Sequence, residues 1–599
     1  MISCAISDIP VGREGVEPSR CHHRRILSPL RLPIPPPPHG CAGKDFTTNN
    51  KIQILFLVPV TAIYGWTIII SAMQLTLLNW FLAILPVLVV IVLMMAFKWS
   101  GSKAGVAGLI TGITIATLIY GTDLTVVSYS VVKAVLLALD VLLVVWTALL
   151  LYNIANEAGA IRMIGEQLPN LTSDRVMQTI LIGWLLVTFL QGMGGFGVPI
   201  AICAPILVGM GFAPVQAVVM AAIGHAWAVN FGTLASAFQA LLAVTGLPGE
   251  LLAPTTAFLL GACSYFCGAI IVTVGTGWKG LKHAIPALLI LGTVMSVVQY
   301  VLATNRLWTL GTTGAGIAGL LVSLLVLKLP MYRDKKPVAS TEEPPETRAA
   351  RVKPKDFLLS MSAYLLLVIL GFSINMIPPL KQFLSQVKLS LTFPELVTSH
   401  GWLTTAGPGR VISIFSHPGV ILLYTCAIAY LIYLKTGLIK KGALKRIING
   451  VSKSGVNASL GVITLVSLAS IMSHAGMNSM LARGLSETIS RSFYPAVSPL
   501  IGALGAFITG SNNNSNILFA VMQMDAAKLL QLPVPVILAA QSAGGSIGSI
   551  MSPAKVIVGC STVGLTGREG EAIRRIMLLG LIPITVIAIL ATILALIMG

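Results

Sequence analysis

Charge is scarce in this 599-residue chain: only 10% of its residues are Asp, Glu, Lys or Arg, against 55% hydrophobic. That balance excludes one soluble core and predicts many membrane-spanning helices. Acidic residues are scarcer than basic ones, 20 against 39, which leaves a formal charge of +19. In a soluble protein such an excess would point to nucleic acid, but the bases here fall mostly in short connections between apolar runs, where they hold loops on the cytoplasmic side. No nucleic-acid partner is expected. Cysteine is sparse, and Cys203, Cys263, Cys267, Cys426 and Cys560 sit in apolar runs, where a thiol acts as a small hydrophobe, so no disulfide framework follows. The eight histidines, His22, His23, His39, His225, His283, His400, His417 and His474, show no pair within the spans at metal or haem spacing. No metal, no cofactor and no enzyme are therefore expected.

Residues 1–51 differ in composition from the rest, with His22-His23-Arg24-Arg25 and a proline run from Pro33 to Pro38, and read as a disordered extension. They lack the order of a signal peptide, and Cys21, His22, His39 and Cys41 match no standard zinc finger. The stretch from Gly15 into the prolines resembles a reading frame begun too far upstream, which would make Met73 the natural start. Ile52–Ala72 is long enough to span a bilayer, and it is either a helix or part of that extension.

The expected fold is an all-α polytopic membrane protein of about 12–14 membrane elements. Its two halves, residues 52–330 and 357–599, are joined by a basic linker, 331–356, that belongs in the cytoplasm. Lys435–Lys441 with Lys445 and Arg446, and Trp278–Lys282, fall on the same side, which leaves Lys381–Pro418 as a polar loop outside. Each half carries a polar interruption. In the first, Gln191-Gly192-Met193-Gly194-Gly195-Phe196-Gly197-Val198-Pro199 precedes Pro214 and a helix ending at Asn230-Phe231-Gly232-Thr233. In the second, Ser511-Asn512-Asn513-Asn514-Ser515-Asn516 precedes Pro535 and Ser542-Ala543-Gly544-Gly545. One shift superposes Pro214 on Pro535, Gly224 on Gly545 and Gly194 on Ser515. Corresponding breaks in two halves point to inverted repeats with re-entrant hairpins and broken helices, and to a transport site between them.

Polar backbone and amides at membrane depth are tolerated where they are buried in protein or line a watery cavity. Ser511–Asn516 offers hydroxyls and carboxamides that donate and accept without a buried fixed charge, which suits a small carboxylate bearing a hydroxyl. Gly192, Gly194, Gly195, Phe196 and Gly197 would expose backbone donors at a helix break, or else pack helices closely. No strand precedes them, so they are no dinucleotide loop. Ionisable residues within spans are costly and thus functional candidates. Asp140, with Lys133 on a similar face, His225 and His474 are the ones present. His225 lies beside a break and can change charge near neutral pH; a structural hydrogen bond is the alternative for it and for Asp140. Lys555 would supply a fixed charge to an anion, or snorkel to the surface.

Phe189-Leu190-Gln191-Gly192 with Gly195–Ala201, then Phe231-Gly232, then Gly505–Asn512 with Ser515-Asn516, and Ser542–Gly545 with Ser552-Pro553 together resemble the lactate permease family over about Leu78 to Met598. The resemblance implies a plasma-membrane, multi-pass symporter, of the prokaryotic inner membrane, that imports lactate or glycolate with protons. Its partners would be a small carboxylate, a proton and the lipid bilayer. A sodium-coupled carboxylate carrier is the alternative, since Ser and Asn oxygens also suit Na⁺. Substrate contacts would come from Gly192–Gly197, Asn230, Gly232, Ser511–Asn516, Ser542, Gly544, Gly545 and Lys555. The family usually has Glu at Gln191, Asn at His225 and Thr at one of Asn513 or Asn514. An acid beside the first break is therefore missing, which turns the coupling proton toward His225 or Asp140.

Overall fold

The structure, a computed structural model, describes residues 73–332 and 359–598, apart from 98, 161, 162, 164–167, 196, 360, 361, 410, 441, 566 and 567. The extension 1–51, the run 52–72 and nearly all of the linker 331–356 lie outside the described residues. What is described falls in one compact unit, Ile68–Gly599.

The first half opens with α1 (Leu77–Met95), α2 (Gly101–Leu118) and α3 (Leu124–Glu157), begun by the side chains of Thr76, Ser100 and Asp123, each of which accepts from the N–H of the third helical residue. Such caps satisfy donors that a helix start leaves unbonded. Asp174 does the same for α4 (Arg175–Met193), which widens to a π-turn over Leu181–Leu186. There α6 (Pro214–Gly224) packs so closely that a Cβ on Gly224 would lie 1.7 Å from the Gly183 carbonyl oxygen. Between them lies α5 (Val198–Gly209), and after them α7 (Gly232–Thr245).

The next helix, α8 (Gly249–Thr304), has 56 residues, about 84 Å if straight and far beyond a bilayer. It folds back at Gly277, whose φ of 72° favours glycine. Tyr265 meets Thr293 at 2.8 Å and Ser264 meets Ser296 at 3.0 Å across the turn. Each limb is long enough to cross a bilayer by itself. By length and composition, nine helices of the described residues could cross a membrane, or up to eleven if each bent pair is one span; the fold-back adds one to either figure. The expectation of 12–14 included short broken elements, and the apolar helices Val198–Gly209, Ser362–Gly371 and Tyr494–Thr509 are too short for that test.

After α9 (Gly311–Val326) the second half runs α10 (Ser362–Met376), α11 (Pro378–Leu384), α12 (Pro418–Lys435), α13 (Ala443–His474), α14 (Met477–Thr488), α15 (Tyr494–Thr509), α16 (Asn512–Leu529), α17 (Val534–Met551), α18 (Pro553–Thr562) and α19 (Glu569–Met598). The segment expected as a loop, 381–418, instead contains one long β-hairpin of paired two-residue strands, with Lys388 opposite Ser413, Thr392 opposite Pro408 and Leu396 opposite Thr404. Alternation of Leu389, Leu391 and Phe393 with polar residues carries the period of a strand. The hairpin is tied down by Ser399 N–H to the Gly121 carbonyl at 2.8 Å and Trp402 Nε1–H to the Ser473 carbonyl at 3.1 Å.

Burial separates the side chains inside out. Leu289, Leu324, Ile593 and Leu596 are exposed, whereas Thr256, Gln299, Ser498 and Gln541 are fully buried. This is what lipid as solvent demands. Two apolar cores form, and each draws on both halves of the chain. One joins Trp184, Trp227 and Phe238 to Tyr494, Ile547 and Ile587; the other joins Val87, Ala134 and Val144 to Leu422, Tyr433 and Leu465.

Candidate functional site

Three helix breaks supply the polar residues. At the first, α4 stops at Met193 and α5 starts at Val198 behind Gly197, at φ 88°. Gly195 faces Thr233, whose Oγ1 would be 2.3 Å from an added Cβ. Gly192 packs onto the Thr313 backbone and Gly194 onto the Tyr152 ring, so these two allow close helix approach. Phe196 lies outside the described residues.

The second break was expected later than it occurs. Helix α6 ends at Gly224, His225 caps it, and a 3₁₀ turn over Ala226–Ala228 precedes α7. Thr233, Leu234 and Ala235 then all have positive φ, 46° to 60°, a conformation costing roughly 1–2 kcal/mol for each L-residue. Gln191 lies against this strained turn: an added Cβ on Gly232 would be 2.8 Å from its carbonyl oxygen and 2.9 Å from its Nε2.

At the third break α15 ends at Thr509, Gly510 has φ 70° and Ser511 is extended. Ser511–Asn516 is thus not a loop: Asn512–Asn516 form the first turn of α16. The physical reason is that first-turn N–H groups need no intrahelical acceptor, so short polar side chains are well tolerated there. No side chain caps this helix. Its geometry sorts the run into faces, with Asn512, Ser515 and Asn516 buried and Asn513 and Asn514 half-buried.

The second and third breaks meet in one fully buried amide and hydroxyl cluster. Asn512 Nδ2 donates to Asn230 Oδ1 and to the Ser542 carbonyl, both at 3.2 Å. Ser542 Oγ donates to Asn230 Oδ1 at 2.6 Å, and Asn516 Nδ2 donates to Ser542 Oγ at 2.9 Å and to the Ala237 carbonyl at 3.0 Å. Ser546 accepts from the Asn230 N–H at 3.1 Å and donates to the Ala226 carbonyl at 2.8 Å. These contacts fix which end of each amide points where. Three atoms then have no protein partner: the donor Asn230 Nδ2 and the acceptors Asn512 Oδ1 and Asn516 Oδ1. Buried polar groups are usually partnered; eleven buried side-chain atoms of the described residues are not, and three of them gather here.

Around this cluster the other expected residues divide. Asn513 accepts from Ser236 at 3.4 Å, and Asn514 points toward Gly101. Ser515 faces away, donating to the Gly502 carbonyl at 2.7 Å. Gly545 makes room for Asn512, whose Oδ1 would be 2.1 Å from its Cβ, while Gly544 and Gly502 let α15 and α17 cross backbone on backbone. Lys555, in the first turn of α18, donates to Ser549 at 3.2 Å. His225 lies at the second break with Nδ1 2.7 Å from the Ala221 carbonyl. Asp140 is elsewhere, facing α12, with His417 Nε2 at 2.8 Å; His417 Nδ1 accepts from the Gly419 N–H at 3.1 Å, so Nε2 carries the hydrogen.

A sequence profile of the L-lactate permease family matches residues 79–598. The chain belongs to that family. It is 27% identical over 501 residues to an L-lactate permease of Halalkalibacterium halodurans, covering 82% of this chain and 91% of the relative. To a glycolate permease of Escherichia coli it is 27% identical over 539 residues, 85% of this chain and 94% of that one. A crystal structure of the Alcanivorax borkumensis YdaH transporter superposes at a TM-score of 0.43 with 14% identity, over 78% of this chain and 87% of that one. Membership makes the chain a transporter rather than an enzyme, and a multi-pass protein of the cell membrane. Neither relative's name speaks for the sodium-coupled alternative.

Within this permease, residues not singled out in the sequence extend the buried polar network. Ser546 braces Asn230, and Tyr494, Gln523 and Gln541 form a buried chain ending on Ser515, at 2.8, 3.0 and 3.3 Å. Their signal was a glutamine or serine inside an apolar helix, the same cue that drew attention to Asp140 and His225.

Proposed function

We propose that this permease imports small 2-hydroxy monocarboxylates, lactate or glycolate, together with protons by alternating access. The observation that carries the reading is the complementarity of the three buried, unpaired amide atoms. Asn230 Nδ2 can donate to a carboxylate oxygen, and Asn512 Oδ1 and Asn516 Oδ1 can accept from O–H groups. The uncapped first turn of α16 adds backbone donors for an anion, and Lys555 adds positive charge nearby. The names of the relatives, L-lactate permease and glycolate permease, support the same substrate class. Two broken helices meeting in the cluster, with the first break packed against the second, suit a site that opens to either side in turn.

The coupling proton has two readings. In one His225 carries it, since Gln191 cannot titrate and His225 sits at the break that supports Asn230. Asp140 is the control, because His417 already engages it. In the other the substrate enters as the neutral acid, a reading favoured by the pair of open acceptors, which match the two O–H groups of a protonated 2-hydroxy acid.

Uptake of labelled L-lactate and glycolate into proteoliposomes, sodium-free and with an acid exterior, tests the proposal. Accumulation that collapses with the pH gradient is expected; no uptake, or uptake only with sodium, refutes it. His225→Gln should keep exchange and lose pH-driven accumulation if the side chain carries the proton. Retention in both His225→Gln and Asp140→Asn assigns the proton to the substrate.

A further inference from the structure

The helices that hold the amide cluster also lead away from it. Asn513 of α16 meets Ser236 of α7, and further along, Val521 of α16 and Val244 of α7 line one cavity of about 60 Å³. The two helices therefore run in parallel from the cluster to the cavity, about 14 Å along α16 from Asn512 to Val521. The rest of the wall comes from α3 and α13, with Lys133, His474, Ser470 and Ser473 as its polar members.

These polar groups form an ordered array. Lys133 Nζ lies 3.4 Å from His474 Nε2, and His474 Nδ1 lies 2.7 Å from Ser130 Oγ, which donates to the Val126 carbonyl at 2.6 Å. With an ammonium donating to Nε2, the imidazole hydrogen belongs on Nδ1 and points at Ser130, so each atom of the relay has a role. Ser470 Oγ donates to the Ser130 carbonyl at 3.0 Å. The β-hairpin covers this end: Lys133 Nζ is 5.9 Å from the Phe393 ring centroid, and Trp402 bonds the Ser473 carbonyl. The acid on the same helix, Asp140, faces His417 instead. Within a span, a lysine is expensive unless something anionic meets it. A volume of this size holds a few waters, whose displacement would make room for the carboxylate head of a small acid.

We infer that the Lys133–His474 cavity is a second carboxylate site, where a small monocarboxylate pauses between the β-hairpin end of the bundle and the amide cluster. Lys133 receives the carboxylate, Ser473 offers a hydroxyl, Ser470, whose O–H is held by the Ser130 carbonyl, can accept from the substrate hydroxyl, and Val244 and Val521 take the hydrocarbon part. This assignment rests on the transport reading above. It adds a site beyond the three breaks described above, beside a fourth at which α13 and α14 are bent by 73°.

Equilibrium binding of radiolabelled L-lactate to the purified full-length protein, alongside uptake in proteoliposomes, tests it. Wild type should bind two lactates per chain and Lys133→Gln one, whereas Asn230→Ala should weaken one of the two sites roughly 10- to 150-fold and leave the other unchanged. Lys133→Gln should also raise the half-saturation of uptake at least tenfold, and Lys133→Arg should restore it. Should Lys133→Gln fail to fold, Ser470→Cys gives an independent measure: lactate should slow its modification by an anionic thiol reagent severalfold. One lactate per wild-type chain together with normal uptake, or labelling of the Ser470→Cys variant that is indifferent to lactate, overturns this inference and leaves the transport reading standing. Neither binding nor uptake by wild type overturns both.

Discussion

Replacing Asn230 and Asn512 separately should separate the two ends of the substrate. Asn230→Ala removes the open donor Nδ2 and also the oxygen that accepts from Ser542 and Asn512. Asn512 keeps the Ser542 carbonyl, so one donor is orphaned, at a stability cost of about 1–3 kcal/mol. Its effect on binding is the loss of a hydrogen bond to a charged carboxylate, about 1.5–3 kcal/mol, or roughly 10- to 150-fold in half-saturation. Lactate and propionate should suffer equally, because both carry the carboxylate. Asn512→Ala removes an acceptor for the hydroxyl, a neutral bond of about 0.5–1.5 kcal/mol, roughly 2- to 12-fold. Propionate has no hydroxyl and should be unaffected. The assay is competition by each acid against labelled lactate uptake, on variants shown by gel filtration to be inserted and monodisperse. Wild-type half-saturation in Asn230→Ala, or equal losses for both acids in Asn512→Ala, refutes the assignment of these atoms.

A chain beginning at Met73 should insert and transport like the full one; lost insertion on deletion would make Ile52–Ala72 a required helix. Gly544→Ala would drive a Cβ to within 2.0 Å of the Pro499 carbonyl oxygen and should destabilise by about 1–3 kcal/mol through overpacking, seen as an earlier thermal transition in detergent. Ala235→Gly relieves a left-handed residue and should stabilise by about 0.5–1 kcal/mol after the entropy of the unfolded chain is counted. Ala235→Val should destabilise, since a β-branched side chain is least tolerated at positive φ, and the same melting experiment reads both.

Much of the architecture was legible in the chain alone because lipid imposes a simple rule: spans must be apolar, and anything polar within them stands out. That rule located the polar interruptions at Gln191–Pro199 and Ser511–Asn516 in an otherwise apolar, helical chain. The family, too, was readable from the motifs around Gln191 and Ser511. Tertiary structure decided the rest, because hydrogen-bond partners distant in sequence cannot be read from local composition. It showed that Asn512–Asn516 is a helix start, with Asn230 and Ser542 as its partners, and that Ser515 turns instead to Gly502 and Gln541. It turned an expected loop at 381–418 into a β-hairpin, and engaged Asp140 with His417 away from the breaks. It also built each apolar core from both halves of the chain, since a face left uncovered by its own half is buried by whichever helix packs against it.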